Sequence, residues 1–146
     1  MKRFHFRLER LLKLKRQRER QAELRQRQAR GLLDAARTEM KVLEESLSEN
    51  AEAIESRLGQ PVLPDFWMAH YQHMARLEQA LNSAEAKTHK ADANLEEANR
   101  VRAKIATEAE SLEHMRTRQW REHRETAART EQQRLLLLGF QERVAR

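Results

Sequence analysis

"GQPVLPD", Gly59 to Asp65, is the stretch that divides this chain. Glycine reaches the left-handed backbone conformation that ends many helices, and proline lacks the N–H that a helix interior needs. Elsewhere such breakers nearly vanish, since 146 residues hold only 3 Gly and 2 Pro. Charged residues make up 36% and aromatics 5%, with Ala, Leu, Glu, Arg, Lys and Gln dominating, a composition of long helices. The expected fold is all-α: two long helices forming an antiparallel coiled-coil hairpin, in one domain over 1–146. The first helix is expected over about 3–58, the turn over 59–65 and the second helix over about 66–143. Asp65 is placed to cap the second helix by accepting a backbone N–H bond. Gly31 lies inside the first helix, where it costs up to about 1 kcal/mol relative to Ala but is not expected to end it.

A heptad frame runs through both segments. In the first, the seam positions are Leu8, Leu12, Lys15, Glu19, Ala22, Gln26, Ala29, Leu33, Ala36, Met40, Leu43, Leu47, Asn50 and Ile54. In the second they are Trp67, His70, Met74, Leu77, Leu81, Ala84, Thr88, Ala91, Leu95, Ala98, Arg102, Ile105, Ala109 and Leu112. The steps alternate between three and four residues, the signature of a coiled coil. The short connection makes the helices antiparallel neighbours. Pairing residues whose numbers sum to about 124 sets large against small: Met40 faces Ala84, Leu33 faces Ala91 and Ala29 faces Leu95. Lys15, Glu19, Gln26 and Arg102 interrupt the seam with polar layers that fix register at some cost in stability. In this register Met1 comes near His123, and the end of the second helix extends unpaired. Trp120 and "LLLLGF", Leu135 to Phe140, are assigned to that overhang as exposed apolar surface suited to binding protein.

Charge is unevenly spread. Residues 1–31 carry 12 Lys and Arg against 3 acids, and residues 114–146 carry 8 against 4. Between them, residues 32–60 and 61–113 are net acidic, at −4 and −3. Folded as a hairpin, the molecule is expected to have a basic open end and an acidic loop end.

The sequence offers no chemistry of an active site: the three glycines are isolated, so no phosphate loop is built, and a two-helix rod offers no catalytic pocket. The expectation is a protein that is not an enzyme and takes no cofactor. Cysteine is absent, which excludes disulfides and cysteine–zinc sites. His70 and His73 stand one turn apart, but without a nearby carboxylate they read as a polar pair beside the loop rather than a metal site. No apolar run approaches the ~20 residues of a membrane span, and the start lacks the apolar core of a secretory signal. In the basic opening, "KRFHFRLERLLKLKRQRERQ", Arg and Glu alternate as on a solvated coiled-coil flank, and aromatics are sparse. Nucleic acid is therefore not the expected partner, nor is membrane insertion.

Three stretches resemble the FliJ family of flagellar export proteins. The opening, with Phe-x-Phe and a Leu-rich turn leading into a charged helix, is similar to the family's start. "FWMAHYQHMARLEQAL", Phe66 to Leu81, resembles its second-helix opening. "SLEHMRTRQWREHRETAARTEQQR" resembles its C-terminal segment, with an Arg-x-Glu-Gln signature at Arg129, Glu131 and Gln132. The chain departs from the family where "LLLL" replaces an acidic pair after Glu-Gln. The resemblance implies a non-enzymatic stalk of the type III protein export apparatus. It implies a cytoplasmic place at the flagellar base, peripheral to the inner membrane. The implied partners are the hexameric export ATPase, the cytoplasmic domain of an export-gate membrane protein, and substrate chaperones. Contact with the ATPase ring is expected at Arg3, Phe4, Phe6, Arg7, Arg10, Arg118, Arg121, Arg129, Glu131 and Gln132. Gate contact is expected at Leu43, Tyr71, His73, Leu77 and Ala80. A virulence-system stalk, a nucleic-acid-binding hairpin and a general scaffold coiled coil are the alternatives.

Overall fold

Two helices account for almost all of the protein: α1, Glu9–Glu55, and α2, Pro64–Val144. The structure is a computed structural model that describes residues 3–144, except the side chain of Glu142. No strand occurs among the described residues. The helices pack antiparallel, as an all-α hairpin. The chain forms two compact units, Ala22–Arg102, and Met1–Gln21 with Ala103–Arg146.

Every seam position expected from the heptad frame is buried or half-buried, in both helices. Within the first-named unit Leu33, Ala36 and Ala84 are almost fully enclosed, and within the second Leu12 and Ala109 are. Fully burying a Leu side chain contributes about 1.5–3 kcal/mol. The register also holds. Glu39 meets Lys87 at 2.8 Å and Gln26 meets Asn99. In the other unit Lys15 meets Glu108, and Glu9 meets Arg116 at 3.2 Å. Each partner stands within two residues of the position expected.

Polar seam residues are partnered across the helices. Arg102 donates to the Gln26 side-chain oxygen at 2.6 Å and approaches Glu23 at 3.8 Å. Nearer the turn, Asn50 is buried, with the His70 ring nitrogen Nδ1 at 2.8 Å from its side-chain oxygen. Asn50 also donates weakly to the His70 carbonyl, which leaves its oxygen to accept from His70 Nδ1–H. A buried Asn of this kind favours one register over others, because any slip leaves its amide unpaired. No buried side-chain N or O lacks a partner among the described residues.

The element ends differ from the sequence reading in three places. α1 starts at Glu9, not near Arg3. Residues 3–6 have no regular structure, and the Glu9 amide donates to the Phe6 carbonyl at 3.1 Å. Phe4 and Phe6 are both withdrawn from solvent while Arg3, His5 and Arg7 are exposed, so both phenylalanines turn inward; a helix would set them about 200° apart. Phe6 is only 3% exposed. α1 ends at Glu55, not Leu58, because its last turn tightens into i→i+3 bonds from Arg57 to Ile54 and Leu58 to Glu55. α2 starts one residue before the expected cap: Pro64 takes the first helical position, where its missing N–H costs nothing. Asp65 is therefore inside the first turn, where its charge opposes the positive end of the helix dipole.

Two glycines respond oppositely to a methyl group. α1 runs unbroken through Gly31, and an added Cβ there meets open space. Gly59 has φ of 80°, a conformation that a side chain strains. Gly31→Ala should raise unfolding stability by about 0.5–1 kcal/mol, and Gly59→Ala should lower it by about 1 kcal/mol. Urea unfolding followed by circular dichroism at 222 nm measures both; equal effects would contradict the assigned backbone.

Candidate functional site

The basic charge collects in one unit. Met1–Gln21 with Ala103–Arg146 holds 18 Lys and Arg against 9 Asp and Glu, a net of +9, whereas Ala22–Arg102 holds 11 against 14. The basic unit is formed by two arms, the start of the chain and the C-terminal part of α2.

The arms are joined by aromatic and ionic contacts. The Phe4 ring lies 5.6 Å from the His123 ring, where Met1 had been expected; Met1 itself lies outside the described residues. Trp120 is not part of an unpaired overhang. It is 43% exposed, lines an open groove with Phe4, Arg116 and Thr117, and carries the Arg124 guanidinium 4.9 Å from its ring centre. Such a cation over an indole face is attracted by the ring's quadrupole. Arg116, at the foot of the groove, is held by Glu9. Half-buried Met115, Gln119, His123 and Ala127 extend the covered face of α2 beyond Leu112. Past Ala127 every described side chain of α2 is exposed.

Against this geometry the expected ring-contact residues separate. Arg3, Arg7, Arg10, Arg118 and Arg121 are exposed in the basic unit, and Phe4 is half-buried. Phe6 is buried, so it anchors the N-terminal arm and offers little surface to a partner. Arg129, Glu131 and Gln132 are exposed on the single-helix part of α2, with Arg129 about 9 Å along the axis from His123. Sequence reasoning missed Arg116, which lines the groove, and Arg124, which lies over the Trp120 ring. Their signal was the four-residue spacing on either side of Trp120, which places all three on one helix face.

The expected gate-contact group lies in the other unit and does not form one patch. Leu43 and Leu77 are half-buried seam residues. His73 and Ala80 border the seam on one side of α2, while Tyr71, 79% exposed, borders it on the other. Of the two histidines near the turn, His70 is turned to Asn50 and packs against Phe66 at 4.3 Å, and His73 is exposed. Among the described residues no group of three or more His, Cys, Asp or Glu is placed to hold a metal ion. Nor is any helix long and apolar enough to cross a membrane.

Comparison with known proteins is decisive at the level of family: the family described as Flagellar FliJ protein matches residues 4–135. The chain belongs to the FliJ family. That membership gives it a flagellar role connected with protein export, in a family that is a non-catalytic export component. No curated protein and no solved structure matches the chain.

Two carboxylates hold the basic unit's helices together. Glu113 accepts from Arg16, which also reaches Glu19 at 2.6 Å, and Glu108 accepts from Lys15. Hydrogen bonding from Arg16 lowers the Glu113 pKa below its ordinary 4.5, and hydrogen bonding from Lys15 does the same for Glu108. Because the folded values are depressed, this stabilisation is complete above the unfolded value and is lost as pH falls through the folded ones. A Glu108→Gln, Glu113→Gln protein should therefore melt below the parent at pH 7. The two melting temperatures should draw together as pH falls below the ordinary carboxyl value and through the depressed folded ones. A difference in melting temperature that stayed constant from pH 7 to pH 3 would rule the linkage out.

Proposed function

We propose that this chain is the central stalk of the flagellar type III export ATPase, acting as a single coiled-coil domain without catalysis of its own. The basic unit binds inside the hexameric ATPase ring through Arg3, Arg7, Arg10, Arg118, Arg121, Arg129, Glu131 and Gln132, with Phe4 at the contact's edge and Phe6 holding the arm in place. The acidic unit reaches the cytoplasmic domain of the export gate, using Tyr71 on one flank of the seam and His73 and Ala80 on the other. Leu43 and Leu77 support that contact from within the seam. Substrate chaperones are further partners. The protein works in the cytoplasm at the flagellar base, peripherally associated with the inner membrane.

The observation that carries this reading is the family match over residues 4–135, in a chain that gathers a net charge of +9 on the unit containing both arms. A concentration of one charge sign speeds encounter with a complementary surface and orients it. Aromatic side chains beside exposed arginines are also the residue types that dominate binding energy at protein interfaces. Nucleic acid fits less well, because arginines are interleaved with acids on the same helix and Phe4 packs on His123 between the arms.

The test combines the protein with the export ATPase and follows hexamer formation and ATP hydrolysis. The parent should promote both, and Arg7→Glu with Arg129→Glu should weaken binding roughly tenfold or more, by reversing charge at the interface. Absence of stimulation by the parent, or full stimulation by the reversed variant, would sink the assignment.

A further inference from the structure

The last turns of α2 present an apolar face that the family match, ending at residue 135, does not account for. Leu136, Leu137, Phe140 and Val144 keep between 66% and 73% of their surface exposed. At about 100° per residue they fall within a single arc of roughly 100°. Arg134 and Arg143 border that arc, one on each side, while Glu131 is on the far side of the helix. A helix exposed all round is ordinarily polar all round; here Leu135 and Leu138 are exposed behind the arc, and the arc from Leu136 to Val144 is the longest continuous apolar face of these turns, as on a helix that meets another.

We propose that this face is a docking site for an acidic amphipathic helix of another protein. A second helix laid along the stripe places its own apolar i, i+3, i+4 and i+7 side chains against Leu136, Leu137 and Phe140. Glutamates on both flanks of that helix then meet Arg134 and Arg143, whose planar guanidinium groups suit paired hydrogen bonds to carboxylates. Both borders being basic decides between occupants. A second copy of this chain, parallel or antiparallel, sets arginine against arginine, and a basic helix meets the same repulsion. The site lies beyond the arm residues assigned to the ATPase ring and does not depend on that assignment.

Fluorescence anisotropy with the full chain tests the proposal. The probes are a labelled peptide of about 20 residues with Leu at i, i+3, i+4 and i+7 and Glu on both flanks, and the same peptide with Lys replacing Glu. The acidic peptide should bind in the micromolar range, at least about tenfold tighter than the Lys version, and more weakly as salt rises. Leu136→Ser with Phe140→Ser should weaken binding about tenfold or more, as should Arg134→Glu with Arg143→Glu, which should also remove the salt dependence. All four side chains are exposed, so the circular dichroism of both variants should match the parent's. Equal binding of the two peptides, or undiminished binding by the serine variant, overturns the proposal. So does sedimentation of the chain with anionic phospholipid vesicles in the absence of peptide binding, or a concentration-dependent dimer abolished by the serine substitutions.

Discussion

A two-helix hairpin can hide only the stripe where its helices touch, and everything else about this protein follows from that economy. Seam positions spaced by alternating threes and fours are all withdrawn from solvent, yet few are fully enclosed. With so little buried area, small side chains matter as much as large ones. Ala22, Ala36, Ala84 and Ala109 are among the most buried residues because they let the helix backbones approach. The polar residues in the seam are tolerated because each finds a partner: Gln26 with Arg102 and Asn99, Asn50 with His70, Lys15 with Glu108. Their contribution is less to stability than to register, since a sliding seam would leave each of them unpaired.

The same geometry explains why function lies on surfaces. A structure with one shallow seam presents long exposed faces of chosen charge. Here the charge is divided between the two units, +9 on one and −3 on the other. The basic unit adds aromatic groups where its arms meet: Phe6 inside, Phe4 over His123, and Trp120 beneath Arg124. These contacts gather exposed arginines from two distant parts of the sequence in one unit.

Much of this was legible in the residues. Gly59, Pro61 and Pro64 mark the turn, and the period of the seam identifies the face that each helix buries. "FHFRL" alternates with period two, but the helical pattern that follows was carried back over it, so α1 was expected to begin near Arg3 rather than at Glu9. Trp120 was assigned to an overhang although the same register sets it opposite Phe4, where the structure places it. The expected gate-contact residues of α2 divide between the two flanks of the seam, Tyr71 on one and His73 on the other, because each residue of a helix turns by about 100°.

What the sequence determined by itself was periodic: helix identity, the turn, the seam and its register, and the partition of charge. Periodic signals survive without tertiary information because each repeats many times and an isolated exception changes little. Only the tertiary structure decided the local, unrepeated features. It showed the non-helical N-terminal arm folding Phe6 inward, the Phe4–His123 and Trp120–Arg124 pairs, and Asn50 as a register-fixing group. Each depends on which side chain one particular neighbour covers or leaves open, and no spacing rule carries that information.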